Sequence, residues 1–98
     1  MKVHDNPDTS HGTSFHGHHF IATPGRLREI FGEPQFPDGD YTIDEWVLDH
    51  EGETVTIYHR GQDHYPMEQP IRWHIGARRC STSLSALLHV RDILTPTT

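Results

Sequence analysis

The sequence contains a single cysteine, Cys80, and no long apolar run. One cysteine cannot form an internal disulfide, so a reducing cytoplasm is the expected compartment. The first apolar stretch is only Phe20, Ile21 and Ala22, which is too short for a membrane span or a signal peptide. We therefore expect a small protein of the cytoplasm.

Positive charge is also scarce, with 8 Lys and Arg against 14 Asp and Glu and a formal net charge of −6. A negative field repels phosphate backbones, so the composition argues against binding to a nucleic-acid polymer. A local pair of arginines can still hold a small anion. The 98 residues are enough for one small domain with a modest core.

Residues 41–60, YTIDEWVLDHEGETVTIYHR, predict a β-hairpin around which the chain is organised. A two-residue loop at Glu51 and Gly52 sets Trp46 opposite Ile57. Opposed residues share a face of the sheet. One face is then apolar and carries Trp46, Leu48, Val55 and Ile57. The other face is expected to be wetter and carries Val47, Asp49, Thr54 and Thr56.

The segment before the hairpin predicts an arm, a strand and a helix. Residues 1–14 are polar and rich in turn formers, which indicates a flexible arm. Residues 15–23 predict a short strand. Thr23 is a suitable helix N-cap, Pro24 a suitable first helical residue, and Gly32 a suitable residue to end the helix.

Two further elements are predicted after the hairpin. Residues 71–75, IRWHI, alternate apolar and polar side chains, as in a half-buried strand, and Gly76 ends it. A final helix, capped by Ser81 or Ser83, is expected to bury one broad face. The side chains of that face are Leu84, Leu87, Leu88, Val90 and Leu94. Residues 15–98 thus predict one α+β domain of order β-α-β-β-β-α, with helices covering one face of an antiparallel sheet of about four strands.

Histidine is the most unusual feature of the composition, with ten residues. His16 and His18 are two apart on a predicted strand and point the same way, so they are candidate ligands for a divalent metal. The pattern lacks the His-Glu-x-x-His helix and the paired Cys-x-x-Cys of specific metal motifs. Exposed or backbone-bonded histidines are the simpler interpretation.

A candidate ligand site surrounds the end of the last predicted strand. Arg78 and Arg79 follow Gly76 and place two cations where a phosphate or carboxylate can dock. Aromatic and imidazole rings from the neighbouring strands are available for stacking. The predicted ligand-binding residues are Trp73, His74, Arg78, Arg79, Tyr58 and His16. The simpler alternative is a core tryptophan, an exposed histidine and arginines that pair with surface acids.

The sequence shows no convincing catalytic set. Cys80 lies beside Arg79, but no histidine and acid can be assigned to it. The His-x-Ser/Thr motif of two-histidine phosphodiesterases occurs once, at residues 11–13, and has no second copy. The sequence therefore favours a binding protein, and a histidine- or metal-dependent phosphodiesterase or hydrolase stays open as the alternative.

Several short blocks, taken in order, resemble a family of small uncharacterised bacteriophage proteins. These blocks are TSFHG (13–17), IAT (21–23), FGEP (31–34), EWVL (45–48), TIY (56–58) and WHIG (73–76). Residues 23–34, TPGRLREIFGEP, and the hairpin after them also resemble units of the lipoprotein SmpA and β-lactamase inhibitor proteins. That second resemblance implies only a binding-type α+β scaffold.

The phage resemblance implies expression in the cytoplasm of a bacterial host. It also implies a non-catalytic protein that counteracts host defence, either by sequestering a small anionic or nucleotide-like signal or by binding a host defence protein. A chain this small gains a deep pocket most readily between subunits, so we expect a homo-oligomer. A structural or host-protein interaction module is the remaining alternative.

Overall fold

The computed structural model describes residues 1–5, 10–38, 42–60 and 66–95. Its strands are β1 (Lys2–Val3), β2 (Ser14–Ala22), β3 (Phe36–Asp38), β4 (Thr42–His50), β5 (Glu53–Arg60) and β6 (Ile71–Ala77), and its helices are α1 (Pro24–Phe31) and α2 (Cys80–Leu94). The strands form an antiparallel sheet in the order β1-β4-β5-β6-β2, and β3 also pairs with β4. The predicted α+β class is confirmed, and the short strands β1 and β3 are additional to the predicted order.

The hairpin of β4 and β5 has the predicted register, with Trp46 directly opposite Ile57. Glu51 and Gly52 both have positive φ, 54° and 83°. Positive φ at both loop positions is the signature of a type I′ turn, whose twist matches that of the two strands. The backbone N–H of Gly52 donates to the carboxylate of Asp49 at 2.9 Å, which satisfies a group that the turn leaves unpaired.

Helix α1 begins and ends where the sequence predicts. The hydroxyl of Thr23 accepts a hydrogen bond from the backbone N–H of Arg26 at 3.1 Å, and Pro24 is the first helical residue. Gly32, with a φ of 80°, ends the helix and donates its N–H to the carbonyl of Arg28. A side chain at this φ would strain the backbone.

The core lies between the two helices and one face of the sheet, called here the inner face. Its buried residues are Phe20, Leu27, Phe31, Trp46, Leu48, Val55, Ile57, Ile71, Trp73, Ile75, Ala77, Ala86, Leu87 and Val90. Trp46 and Trp73 meet edge to face with ring centroids 5.4 Å apart. The indole N–H of Trp46 donates to the carbonyl of Gly32 at 2.9 Å, and that of Trp73 donates to the carbonyl of Ala22 at 3.0 Å. Each tryptophan therefore fixes the end of another element against the sheet.

The opposite side of the sheet, called here the outer face, is less wet than predicted. Val47, Thr54 and Thr56 have only 0%, 7% and 3% of their surface exposed. The prediction was wrong for these residues because it considered the hairpin alone. Other segments add to that side, and the side chain of Gln35 bonds both the N–H and the carbonyl of Val47.

Helix α2 begins at Cys80, before both of the predicted caps. Its N-cap residue, Arg79, makes no side-chain capping hydrogen bond. Ser83 is fully buried inside the helix, and its hydroxyl hydrogen-bonds Nδ1 of His18 at 2.8 Å. The prediction that Ser81 or Ser83 caps the helix was therefore wrong. Ser83 instead bonds a residue of β2, and its small side chain fits where the helix meets the sheet.

The buried face of α2 is also rotated relative to the prediction. Leu87 and Val90 are buried as predicted, whereas Leu84 and Leu88 are 46% and 57% exposed. Each exposed leucine follows a buried residue by one position, which turns it about 100° around the helix axis. Small side chains such as Ala86 occupy the contact instead and let the helix approach the sheet.

The described part of the predicted N-terminal arm is held on the sheet. Lys2–Val3 pairs with β4, and the backbone N–H of His4 donates to the carbonyl of Val47 at 2.8 Å. The rest of the predicted arm includes residues 6–9, which lie outside the described residues, as do residues 61–65 of the predicted loop after the hairpin. Within the described ranges, neither helix has the length and hydrophobicity needed to cross a membrane.

Two isoleucines of the same sheet provide a matched test of which face is the core. Ile57→Ala should lower the free energy of unfolding by about 2–5 kcal/mol, because it leaves a cavity in the inner face. Ile21→Ala should change it by no more than about 0.5 kcal/mol, because that side chain is 65% exposed. Urea unfolding measures both values, and equal losses for the two variants would contradict the assignment of the core.

Candidate functional site

A groove of about 550 Å³ opens on the outer face of the sheet. The residues that line it are Thr13, Ser14, Phe15, Glu45, Thr56, Tyr58, Arg60 and Gly76. Thr13 directly precedes β2, and the others come from β4, β5, β6 and β2, so the groove runs across four neighbouring strands. Its volume lies in the range of sites that bind small organic molecules.

A β-bulge in β4 places Glu45 in the groove. The register with β5 shifts between Ile43 and Trp46, so two residues of β4 face one residue of β5. The first of the two, Asp44, has a φ of 53° and pairs its carboxylate with Arg28 of α1 at 3.0 Å. The second, Glu45, lines the groove on the other side of the sheet. The two adjacent carboxylates therefore do not form a pair.

Gly76 keeps the floor of the groove open. A Cβ atom built on this residue would collide with the hydroxyl of Thr56 and would lie 3.4 Å from the ring of Tyr58. The absence of a side chain leaves room for Thr56 and Tyr58, both nearly buried, at the floor of the groove. The same glycine was predicted to end the strand, but β6 continues through it to Ala77.

Aromatic and imidazole rings form a continuous row beside the groove. His74 stacks on Tyr58 with centroids 5.5 Å apart and an interplanar angle of 18°, and Phe15 meets His74 edge-on at 4.9 Å. Arg60 lies over the ring of Tyr58 at 6.0 Å. His19 is the cross-strand partner of His74. These contacts hold the rings in place, and Phe15 at the end of the row stays partly exposed to the groove.

The groove contains two charged side chains, those of Glu45 and Arg60. Among the described residues, neither the carboxylate of Glu45 nor the guanidinium of Arg60 takes part in an ion pair. By contrast, Arg26, Arg28 and Arg79 each pair with a carboxylate elsewhere on the protein. The groove is thus a place where charge is not used to stabilise the fold.

Burial shifts the pKa values of two groups at this site in opposite directions. It raises the pKa of Glu45 and lowers the pKa of His74. The positive charge of Arg60 and the neighbouring His59 and His19 lower the pKa of His74 further. Nδ1 of His74 is buried and has no hydrogen-bond partner among the described residues. Displaced pKa values gathered in a groove are typical of functional sites.

A second buried histidine lies under α2. His50 is only 3% exposed, its Nε2 hydrogen-bonds the hydroxyl of Ser85 at 2.9 Å, and its ring lies 5.4 Å from that of His89. Burial is the largest cause that lowers the pKa of His50. Glu51 and Asp49 oppose this shift, and His89 and the N-terminal amino group add to it.

The structure brings two of the six predicted ligand-binding residues together. Tyr58 lines the groove, and His74 stacks against it. Trp73 is fully buried on the inner face, because neighbouring residues of a strand point to opposite sides of the sheet. Its predicted place beside His74 in one site was wrong for that reason.

The other three predicted residues lie where β6 leads into α2, and none of them lines the groove. Arg78 donates to the carbonyl of His11 at 2.9 Å, and Arg79 donates to the carboxylate of Glu53 at 3.0 Å. His16 uses Nε2 to contact a carbonyl at the end of β6 at 2.9 Å. Arg79 thus has the acidic partner, and His16 the backbone partner, that the simpler alternatives predict, whereas Arg78 bonds a backbone carbonyl instead of an acid.

The predicted metal pair does not lie on a regular strand. The pairing of β2 with β6 shifts between Phe15 and His19, and Gly17 has a φ of 90°. His16 and His18 are each hydrogen-bonded, the first to β6 and the second to α2. In the described part of the chain, no group of three His, Cys, Asp or Glu side chains is placed to hold a metal ion. Metal binding stays a prediction.

Sequence reasoning did not single out Glu45, Arg60 or Phe15 as site residues. Glu45 and His74 are immediate neighbours of the two inward-facing tryptophans, so strand alternation was a signal that could have placed both on the outer face. The position of Phe15 depends on the irregular pairing of β2 around Gly17, for which the sequence offers little signal.

Comparisons with known protein families, curated proteins and solved structures found no match to this chain. The resemblances to small bacteriophage proteins and to SmpA and β-lactamase inhibitor proteins therefore stay predictions, and the function has to be proposed from the groove itself.

The lowered pKa values predict that acid destabilises the protein. An unfolded histidine has a pKa near 6.5, whereas folded His50 and His74 have lower values, so the unfolded chain binds more protons below about pH 7. The free energy of unfolding should therefore fall as the pH is lowered from about 8 to about 5.5. Urea unfolding at each pH measures this slope.

Three variants identify the groups that cause the slope. His50→Gln and His74→Gln should each make it shallower, while the exposed His11→Gln should match the wild type. Glu45, whose pKa is raised, acts in the opposite direction, so only the difference between variant and wild type is compared. A slope unchanged in both buried-histidine variants would contradict the prediction.

Proposed function

We propose that this chain is a non-catalytic binding protein that holds a small nucleotide-like molecule, with a planar ring and an anionic group, in the outer-face groove. One observation carries the proposal. A groove of about 550 Å³ brings aromatic rings together with two charged side chains that form no ion pair within the described residues. Elsewhere in the described chain, aromatic rings are largely in the core, and three of the six other arginines, Arg26, Arg28 and Arg79, have acidic partners.

The planar ring is the part that Phe15 is suited to hold. This side chain is 39% exposed, lines the groove and is braced from behind by the edge contact with His74. Any of the nucleobases can stack on such a ring, because every base has a π-face. The hydroxyls of Thr56 and Tyr58 are close by on β5 and can bond polar atoms of the ligand.

The anionic group is the part that Arg60 is suited to hold. Its guanidinium is positioned by the ring of Tyr58 and lacks a carboxylate partner in the described ranges. A planar guanidinium binds phosphate or carboxylate through two parallel hydrogen bonds. A single local cation of this kind can attract a small anion even though the chain as a whole is negative.

A histidine-dependent hydrolase is the second candidate, and one observation favours it. Burial favours the uncharged form of both groups, since it raises the pKa of Glu45 and lowers the pKa of His74, and a carboxylic acid and a neutral imidazole suit the roles of an acid and a base. An enzyme would return a cleaved ligand, whereas a binding protein returns it intact. The fate of the ligand therefore separates the two functions.

The proposed biological role follows from the resemblance to small bacteriophage proteins. In the cytoplasm of a bacterial host, the protein holds a nucleotide signal and so keeps it from the host's defence. A homo-oligomer would enclose the open groove further, which would slow release of the ligand. Alternatively, the protein counteracts the host's defence by binding a host defence protein directly, which requires no small ligand.

Retention and release of ligand test the proposal. The protein is incubated with a panel of nucleoside diphosphates, cyclic dinucleotides and ADP-ribose, filtered, and then denatured by heat. We expect at least one compound to be retained by the folded protein and released intact by heating. Cleaved products would favour the hydrolase, and full recovery of every compound in the first filtrate would contradict sequestration.

Groove variants test the place of binding. Arg60→Gln should weaken binding of the retained compound at least about tenfold, because a hydrogen bond to a charged group is worth about 1.5–3 kcal/mol. Phe15→Ala should weaken it by a similar factor, since stacking on a base is worth about 1–3 kcal/mol. Arg26→Gln is the control, because this arginine lies on α1 and pairs with Glu29. Equal affinity in all variants would place the site elsewhere.

A further inference from the structure

Glu45 is the one acidic side chain that lines the groove within the described residues. The bulge holds its backbone at a fixed place in β4, between Asp44 and Trp46, both of which contact Arg28 on the opposite side of the sheet. No hydrogen-bond donor of the described chain is bonded to its carboxylate, even though the side chain is partly buried. Its oxygen atoms still reach the groove, so a ligand there can supply the donors that the described chain does not.

An ionised carboxylate has two neighbouring oxygen atoms that only accept hydrogen bonds. It therefore matches a ring edge that presents two donors side by side. Guanine has such an edge, formed by N1–H and the exocyclic amino group on C2. Adenine and cytosine instead present one amino group beside a ring nitrogen that accepts, which would face a carboxylate oxygen without a proton between them.

We infer that the groove selects guanine among the nucleobases and that Glu45 is the residue that recognises it. The inference rests on the proposed function, because it assigns the planar ring of the same ligand. Phe15 supplies the stacking surface and Arg60 holds the anionic group, while Glu45 bonds the donor edge of the base. Sites that are built to hydrogen-bond a group reject analogues that lack it far more strongly than apolar pockets do.

The wild-type protein and three nucleotides test this without any substitution. Calorimetric titrations at about pH 8, which favours the ionised form of a carboxyl group, compare GDP, ADP and inosine diphosphate. Inosine diphosphate keeps N1–H but lacks the amino group on C2. GDP should bind at least about tenfold more tightly than either, since one lost hydrogen bond to a charged group has about that effect. Affinities for GDP and ADP within about twofold would overturn the inference, and so would equal affinities for GDP and inosine diphosphate.

The variant Glu45→Gln adds a signature that a merely structural residue would not give. Its amide offers one acceptor and one donor, which matches the amino group and ring nitrogen of adenine and does not match the two-donor edge of guanine. GDP should lose about tenfold or more in affinity, while ADP should gain, so that the preference disappears or reverses. Glu29→Gln is the control, because it removes an equal charge from an exposed position on α1. A variant that still prefers GDP as the wild type does would overturn the role of Glu45.

The experiments distinguish a failure of the guanine inference from a failure of the proposed function. If ADP or another compound of the nucleotide panel binds in the groove as well as GDP, binding stands and only the selection of guanine is wrong. If no compound of the panel is retained, the proposed function itself fails and the assignment of guanine fails with it.

Discussion

The contact between Trp46 and Trp73 is the constraint on which the rest of the structure depends. Their rings meet edge to face at 5.4 Å in the middle of the inner face, and their indole N–H groups hold the end of α1 and the end of β2. Two such side chains bury a large apolar surface and place two donors where only backbone carbonyls can satisfy them. Because strand residues alternate, this contact also decides what faces outward. Glu45 and His74 are turned to the outer face by their tryptophan neighbours.

The outer face is partly covered, and this changes the chemistry of the groups on it. Val47 and Thr56 are nearly inaccessible, and Glu45 and His74 on the same face are partly withdrawn from water. Desolvation disfavours the charged form of both groups, so one pKa rises and the other falls. A fully solvated sheet face would leave both side chains close to their ordinary behaviour. The pKa shifts at the groove therefore depend on what surrounds these side chains as much as on the side chains themselves.

The sequence was sufficient for the parts of the fold that local chemistry specifies. The Glu51-Gly52 turn and the alternation of the arms determine the hairpin register, and Thr23 and Pro24 determine the start of α1. Features that depend on contacts between distant segments were not predictable in this way. They include the bulge at Asp44, the rotation of α2 that exposes Leu84 and Leu88, and the pairing of β1 with β4. Of the candidate site, Tyr58 and His74 were found, whereas Trp73 was placed on the wrong side because strand alternation was not applied to its neighbour.

The charges of the groove are not explained by folding. Arg28 shows how this chain stabilises a partly buried guanidinium, with a carboxylate at 3.0 Å and the ring of Trp46 beneath it. Glu45 and Arg60 lie on adjacent strands of the same face and yet do not pair with each other in the structure. The partly buried Glu45 loses part of its hydration without gaining an ion pair within the described residues. A partner that supplies donors to Glu45 and an anion to Arg60 would complete the bonds of both groups, and a groove of this size admits a small molecule as that partner.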